Sequence, residues 1–365
     1  MAVRQEQERA SDEVSEIAPN VLRMQLPVWI PGLGHVNCYA LVDDRGAALV
    51  DPGLPGTSTW DALVGRLSQA GLAPRDIHTV VVTHSHPDHF GGAARLARES
   101  GAQVVAHRAF AFGPFHARHH HPEASAEDVS AHAQAVENQR LHPPRRVDGL
   151  WATLRRVSTP APWKAPGERP TLRRRLMGVG LRLFGRGRFF PEVTRHVEHG
   201  DSLQLAGREW FALHTPGHTA DHICLHDPDT GVLLSGDHVL PSITPHIGGL
   251  AEGRDPLKSF FYSLDRIGEI RDVERVLPAH GHPFGDLAGR AEAIKRHHVE
   301  RLEEVRKIAR EIGPADVEQF MQRLFRRRSW GDMAESETYA HLEHLRLGGQ
   351  AVAHRKPGGR LIYEL

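Results

Sequence analysis

The stretch Thr83-His84-Ser85-His86-Pro87-Asp88-His89 packs three imidazoles and a carboxylate into six residues, directly after the apolar run His78-Thr79-Val80-Val81-Val82-Thr83. The β-branched run predicts a buried strand over 78–83, which would hold the following loop rigid. A spacing of two lets His84 and His86 converge on one ion from a single turn at the strand end. Asp88 and His89, further round that turn, can face a second ion. Imidazole nitrogen and carboxylate oxygen suit zinc, with iron or manganese as alternatives, at a site that keeps a position open for water. The bland alternative for an isolated run of this kind is a solvated histidine-rich loop.

Four further places each put a ligand type at the end of a short strand-like run. They are Asp51 in Leu49-Val50-Asp51-Pro52-Gly53, His218 in Thr215-Pro216-Gly217-His218, Asp237 in Leu234-Ser235-Gly236-Asp237, and His280 in Leu277-Pro278-Ala279-His280. Their order and context resemble the metallo-β-lactamase-fold hydrolase superfamily, over about residues 20–290. The resemblance implies an α/β fold, a four-layer αββα sandwich with the metals at the edge between the sheets. It also implies that His84, His86 and His218 hold a first divalent metal, that Asp88, His89 and His280 hold a second, and that Asp237 bridges them. Asp51 is then a support, hydrogen-bonded to the ligand loop, where it would fix imidazole orientation. His222 and His282 lie within a few residues of such ligands, which suits either a proton-transfer role or a satisfied structural histidine.

Within the superfamily, Pro216-Gly217-His218-Thr219-Ala220-Asp221-His222 resembles the β-lactamase-like protein 2 group, whose C-terminal winged-helix-like module has a counterpart here. Helical periodicity fits 291–312, 315–325 and 335–347, and a hairpin turning at Lys356-Pro357-Gly358-Gly359 would form the wing. The expected organisation is a flexible N-terminus over 1–18, the metal-binding domain over 19–290 and the winged-helix-like domain over 291–365. A basic, mostly helical insertion falls at about 110–195.

Net charge is zero over 365 residues, yet 140–188 carries thirteen basic residues against two acidic ones, a local excess of eleven. Interleaved aromatic and aliphatic residues make this stretch a candidate lid with a cationic rim, with Arg173, Arg174, Arg175 and Phe184 as candidate substrate contacts. An oligomer contact or plain decoration are the other readings. An amphiphilic anion fits the first: an acyl-coenzyme A, an acyl group on a carrier protein, or a glutathione thioester. RNA also fits, since basic patches neutralise phosphates. The run His116-Ala117-Arg118-His119-His120-His121 lacks a strand framework and reads as a solvated loop, although the chain has 27 histidines.

No apolar run approaches the 18 or so residues of a spanning helix. Residues 1–15 are polar and lack the apolar core of a signal peptide. Cys38 and Cys224 sit in apolar surroundings and suit free, buried thiols in a reducing, cytoplasmic setting, or a pair if the fold brings them together. A cytoplasmic location argues against β-lactamase action, because those antibiotics act outside.

Two metals imply attack by a bridging hydroxide, since a bound ion lowers the pKa of water from 15.7 to about 7. Asp88 would orient that nucleophile. A thiolate, with a conjugate acid near pKa 8.5, leaves without a strong general acid. The reading is therefore a metal-dependent thioester or ester hydrolase. The alternatives are a ribonuclease acting on single-stranded RNA and, more weakly, a DNA-binding regulator. Against the regulator, the candidate recognition helix carries Glu335, Glu337 and Glu343 opposed only by Arg346, a charge that would repel phosphate.

Overall fold

In the computed structural model, residues 4–110, 161–165, 190–249, 255–355 and 359–365 are described. Arg173, Arg174, Arg175, Phe184 and the run at 116–121 lie outside them. The first half runs β1 (Val14–Ala18), β2 (Val21–Pro27), β3 (His35–Asp43), β4 (Gly46–Val50), α1 (Thr57–Gln69), β5 (Ile77–Val81), α2 (Pro87–Phe90), α3 (Ala93–Ser100), β6 (Gln103–His107) and β7 (Arg195–Val197). These strands form one sheet in sequence order, antiparallel through β4 and parallel from β4 to β7.

The second half runs β8 (Ser202–Leu205), β9 (Arg208–His214), β10 (Ile223–Asp227), β11 (Val232–Gly236), α4 (Pro256–Gly268) and β12 (Arg275–Pro278). Its five strands form a second sheet in the order β12-β11-β10-β9-β8.

Period-two alternation sorts the side chains into layers. Leu41, Val50 and Val81 point inward and meet Trp210, Leu225 and Leu234 of the second sheet in one cluster between the sheets. Their sequence neighbours Ala40, Leu49, Val80 and Val82 point outward, against Leu63 and Leu67 of α1 and Leu96 of α3. On the far side, Leu233 and Val276 pack against Phe260 and Leu264 of α4 and against Ile294 of the next helix. Helix, sheet, sheet, helix is the layering that the family resemblance implies. Cys38 and Cys224 are free and buried.

The C-terminal part runs α5 (Leu287–Ile312), β13 (Ala315–Asp316), α6 (Val317–Leu324), α7 (Asp332–Leu347), β14 (Val352–Arg355) and β15 (Leu361–Glu364), with the small sheet ordered β13-β15-β14. One boundary differs from the sequence reading. Helix α5 begins four residues before 291, because the Asp286 carboxylate accepts the Gly289 N–H and caps it there. Val305, Phe320, Leu342 and Tyr363 also share one continuous core with Leu233 and Phe260 of the metal-binding part. The helical layer over the second sheet is thus supplied by both parts.

Among the described residues, no helix is long and apolar enough to cross a membrane.

Candidate metal centre

The HSHPDH run follows β5 at the sheet end, and Asp51 follows the parallel neighbour β4, so their backbones start side by side. Asp51 takes a left-handed conformation, φ 56°, a strained choice for a residue with a Cβ. There its Oδ1 accepts the Thr83 N–H at 2.8 Å, and its Oδ2 accepts the Thr83 Oγ1–H at 2.7 Å and the His89 Nδ1–H at 2.8 Å. Thr83 Oγ1 in turn faces His84 Nδ1 at 3.1 Å. One buried carboxylate therefore orients both ends of the histidine run.

The second sheet contributes the remaining residues. Gly236, at the end of β11, has φ 52°, and a Cβ there would stand 2.6 Å from His222 Nε2. Only glycine lets the chain turn so close and present Asp237. His218 donates from Nδ1 to the His246 carbonyl at 2.7 Å, and His280 from Nδ1 to the His35 carbonyl at 2.6 Å. Each ring is left with Nε2 as a lone-pair donor facing inward.

Two clusters result: His84, His86, His218 and Asp237, and beside it Asp88, His89 and His280. His86 Nδ1 lies 3.0 Å from His84 Nε2 and 3.0 Å from His218 Nε2. Asp237 Oδ2 lies 3.5 Å from His218 Nε2 and 3.6 Å from His89 Nε2, and Oδ1 lies 3.4 Å from His280 Nε2. Asp88 Oδ2 is 3.6 Å from His89 Nε2 and 3.5 Å from His280 Nε2. Ligands at 2.0–2.1 Å from a tetrahedral ion stand about 3.3 Å apart, the spacing seen here.

The donor set fits a pair of divalent cations. His89 Nε2, His280 Nε2 and Asp237 Oδ1 are buried without a hydrogen-bond partner, an arrangement that costs free energy unless something else binds them. Burial, with help from the His89 and His86 rings, holds His84 well below the usual imidazole range, and burial with His218 brings His86 down to about 3. Neutral imidazoles are what a metal requires. Burial alone would raise the Asp88 carboxyl, but His89 and His280 hold it down to about 2. At His89 burial is outweighed by Asp88, Asp51 and Asp237, which raise it well above the ordinary value. Positive charge is favoured between those carboxylates, where a cation would sit.

Of the other sequence candidates, His222 is buried and fully occupied. Its Nδ1 faces Thr215 Oγ1 at 2.7 Å and its Nε2 accepts the Asp237 N–H at 3.0 Å. With Nε2 accepting, the ring proton sits on Nδ1 and is donated to Thr215 Oγ1, so both nitrogens are engaged, as in a satisfied structural histidine. His282 turns away from the clusters and pairs with Glu8 at 2.8 Å, both side chains being partly exposed. Three residues that the motifs did not single out hold ligands in place: Thr83, His35 and His246. His35 also accepts the Gly281 N–H through Nε2 at 3.0 Å. It heads β3, beside β4, the strand that leads to Asp51.

Two sheets presenting paired histidine and aspartate clusters at one edge define a class of metal-dependent hydrolases. The family model for the Metallo-beta-lactamase superfamily matches residues 31–280, and the chain belongs to that superfamily, whose members are typically metal-dependent hydrolases. It is 28% identical over 261 residues to the acyl-coenzyme A thioesterase MBLAC2 of Gallus gallus, spanning 69% of this chain and 74% of that protein. It is 32% identical over 90 residues to a hydroxyacylglutathione hydrolase of Maricaulis maris, spanning 25% of this chain and 33% of that protein. The crystal structure of a metallo-beta-lactamase family protein from Thermus thermophilus superposes with a TM-score of 0.69 at 29% identity, covering 95% of this chain and 99% of that one.

Proposed function

We propose that this chain is a hydrolase with a binuclear zinc centre that cleaves thioesters, with acyl-coenzyme A as the preferred substrate class. The observation that carries the reading is the pair of clusters sharing Asp237, whose inward atoms lie at ligand spacing and are in part buried without partners. His84, His86 and His218 would hold one ion, Asp88, His89 and His280 the other, and Asp237 both. Bound there, the ions supply Lewis acidity and a nucleophilic water at neutral pH.

Asp88, anionic at pH 7 with a pKa brought down to about 2, orients the attacking water by accepting its hydrogen bond. A thiolate leaving group needs no protonation as the bond breaks. The preference for coenzyme A over glutathione rests on extent: the likeness to the coenzyme A thioesterase runs over most of the chain, that to the glutathione hydrolase over a quarter.

The flanks of the insertion add support. Phe110 and Phe190 both pack on Phe90, next to His89, with ring centroids 5.9 and 6.0 Å away. Residues 140–188, in the sequence between these flanks, carry a local excess of eleven positive charges, which would complement the phosphates of coenzyme A.

Zinc-loaded protein given a series of acyl-coenzyme A and S-acylglutathione substrates should release thiol, detected with a chromogenic thiol reagent. Asp88→Asn should lower the rate by about 10²- to 10⁴-fold. Two zinc ions per chain with no thiol from either series would sink the proposal.

A further inference from the structure

The segment from His246 to Gly249 lies between the metal centre and the C-terminal part, and it is bound on both sides. Toward the centre, the His246 carbonyl accepts the Nδ1–H of His218 at 2.7 Å, which sets that ring's orientation and leaves Nε2 facing His86 and Asp237. Toward α7, the imidazole of the same His246 donates from Nδ1 to Glu337 Oε2 at 3.4 Å. Three residues on, the Gly249 N–H donates to the Ser336 carbonyl at 3.2 Å, and Ser336 Oγ donates back to the Gly249 carbonyl at 3.4 Å.

Ile247 between them is fully buried in the core that contains Tyr339 and Leu342 of α7. Contact with the helix is so close that a Cβ on Gly249 would stand 2.5 Å from the Tyr339 ring. Backbone pairing, a buried isoleucine and a charged hydrogen bond fix this segment to α7, so any displacement of the helix moves the carbonyl that His218 depends on.

We infer that α7 is a positioning element for the metal centre, and that Glu337 is a positioning residue which orients His218 through His246. The inference rests on the reading that the histidine and aspartate clusters bind metal. Residues that orient a ligand imidazole typically change metal affinity 10- to 100-fold when removed. Glu337 acts through one intermediate residue, which places its effect at the lower end.

The test is zinc affinity, measured on the full chain by competition with a chromophoric chelator, beside thermal melts of the metal-stripped protein. Glu337→Ala should weaken one of the two zinc sites about tenfold. Glu337→Gln should restore most of that loss, because its amide oxygen still accepts from His246. His246→Ala, which keeps the carbonyl but releases it from Glu337, should match Glu337→Ala.

Glu343 provides the control. It lies on the same helix and holds Tyr363 at 2.6 Å and Arg346 at 2.7 Å within the C-terminal part. Glu343→Gln should lower the melting temperature and leave zinc affinity at the wild-type value. Unchanged zinc affinity in Glu337→Ala would overturn the inference. So would an equal loss in Glu343→Gln, which would make the effect one of general stability. Wild-type protein that takes up no zinc would instead remove the metal reading, and this inference with it.

Discussion

At the scale of single residues, a few side chains outside the two clusters orient those within them. Asp51 accepts three hydrogen bonds, two from Thr83 and one from His89, and Thr83 relays the same carboxylate to His84. Asp51→Ala should weaken zinc binding 10- to 100-fold, read by chelator competition, since His89 would lose the acceptor that fixes its tautomer. Thr83→Val keeps the shape but deletes the hydroxyl, and a loss of about tenfold is expected at the site that includes His84. If both variants bind zinc as tightly as the wild type, the orienting role assigned to this chain of bonds is wrong.

The residues legible in the sequence were those whose side chains could supply ligand atoms, because only a few residue types can and they recur at strand ends. His35 and His246 were not legible in that way: each orients a ligand with its backbone carbonyl, which any residue at that position would present. His222, for which the sequence left a proton-transfer and a structural role open, was hard to read for the opposite reason. It sits in a motif and is buried among ligands, yet both its nitrogens are spent on Thr215 and on the Asp237 backbone.

At the scale of elements, the strands decide where the ligands stand, and the short N-terminal turn at Gln5–Gln7 helps to hold the loops between them. Glu6, fully buried, accepts the N–H groups of Ser242 and Ile243 at 2.8 and 3.0 Å as well as the Ser242 hydroxyl, just beyond Asp237. Arg290 of α5 grips the same loop through the Leu240 and Ile243 carbonyls. Nothing in the polar residues 1–18 suggested this, since a buried glutamate is recognisable only from the amides that surround it.

Burial opposes ionisation of Glu6, but those hydrogen bonds outweigh it and hold the carboxyl below its ordinary value of 4.5. A carboxyl whose folded pKa is depressed stabilises the fold above the unfolded pKa, and that contribution fades as pH falls through the folded value. Glu6→Gln should therefore lower stability by about 2 kcal/mol at pH 7, the scale of a hydrogen bond to a charged group. The gap between variant and wild-type melting temperatures should narrow below pH 4.5. A gap that stays constant down to the acid transition would show that the charge of Glu6 contributes nothing.

At the scale of the whole molecule, the two sheets meet through an apolar layer, and their shared edge gathers buried carboxylates and imidazoles that no apolar packing can satisfy. That layering came from the family resemblance carried by the ligand motifs, with which the recurring order of strand, ligand loop and helix in the sequence agrees. The shared core of the two parts was less readable, since helical periodicity in α5 reports an apolar stripe and not which sheet it covers. Asp51, Asp88 and Asp237 crowd round His89, so the centre is a place where the fold bears an electrostatic cost that bound cations would relieve. A cation that binds the folded chain and not the unfolded one stabilises it by mass action, about 2.7 kcal/mol per site at a hundredfold excess over Kd. Stripping the protein with a chelator should therefore lower its melting temperature by several degrees, and added zinc should restore it in proportion to the logarithm of free zinc. Asp237→Ala, which removes the shared carboxylate, should lose that zinc dependence while the stripped form keeps its far-ultraviolet circular dichroism. A melting temperature indifferent to zinc in the wild type would mean that the edge of the two sheets is a buried charge network without a metal.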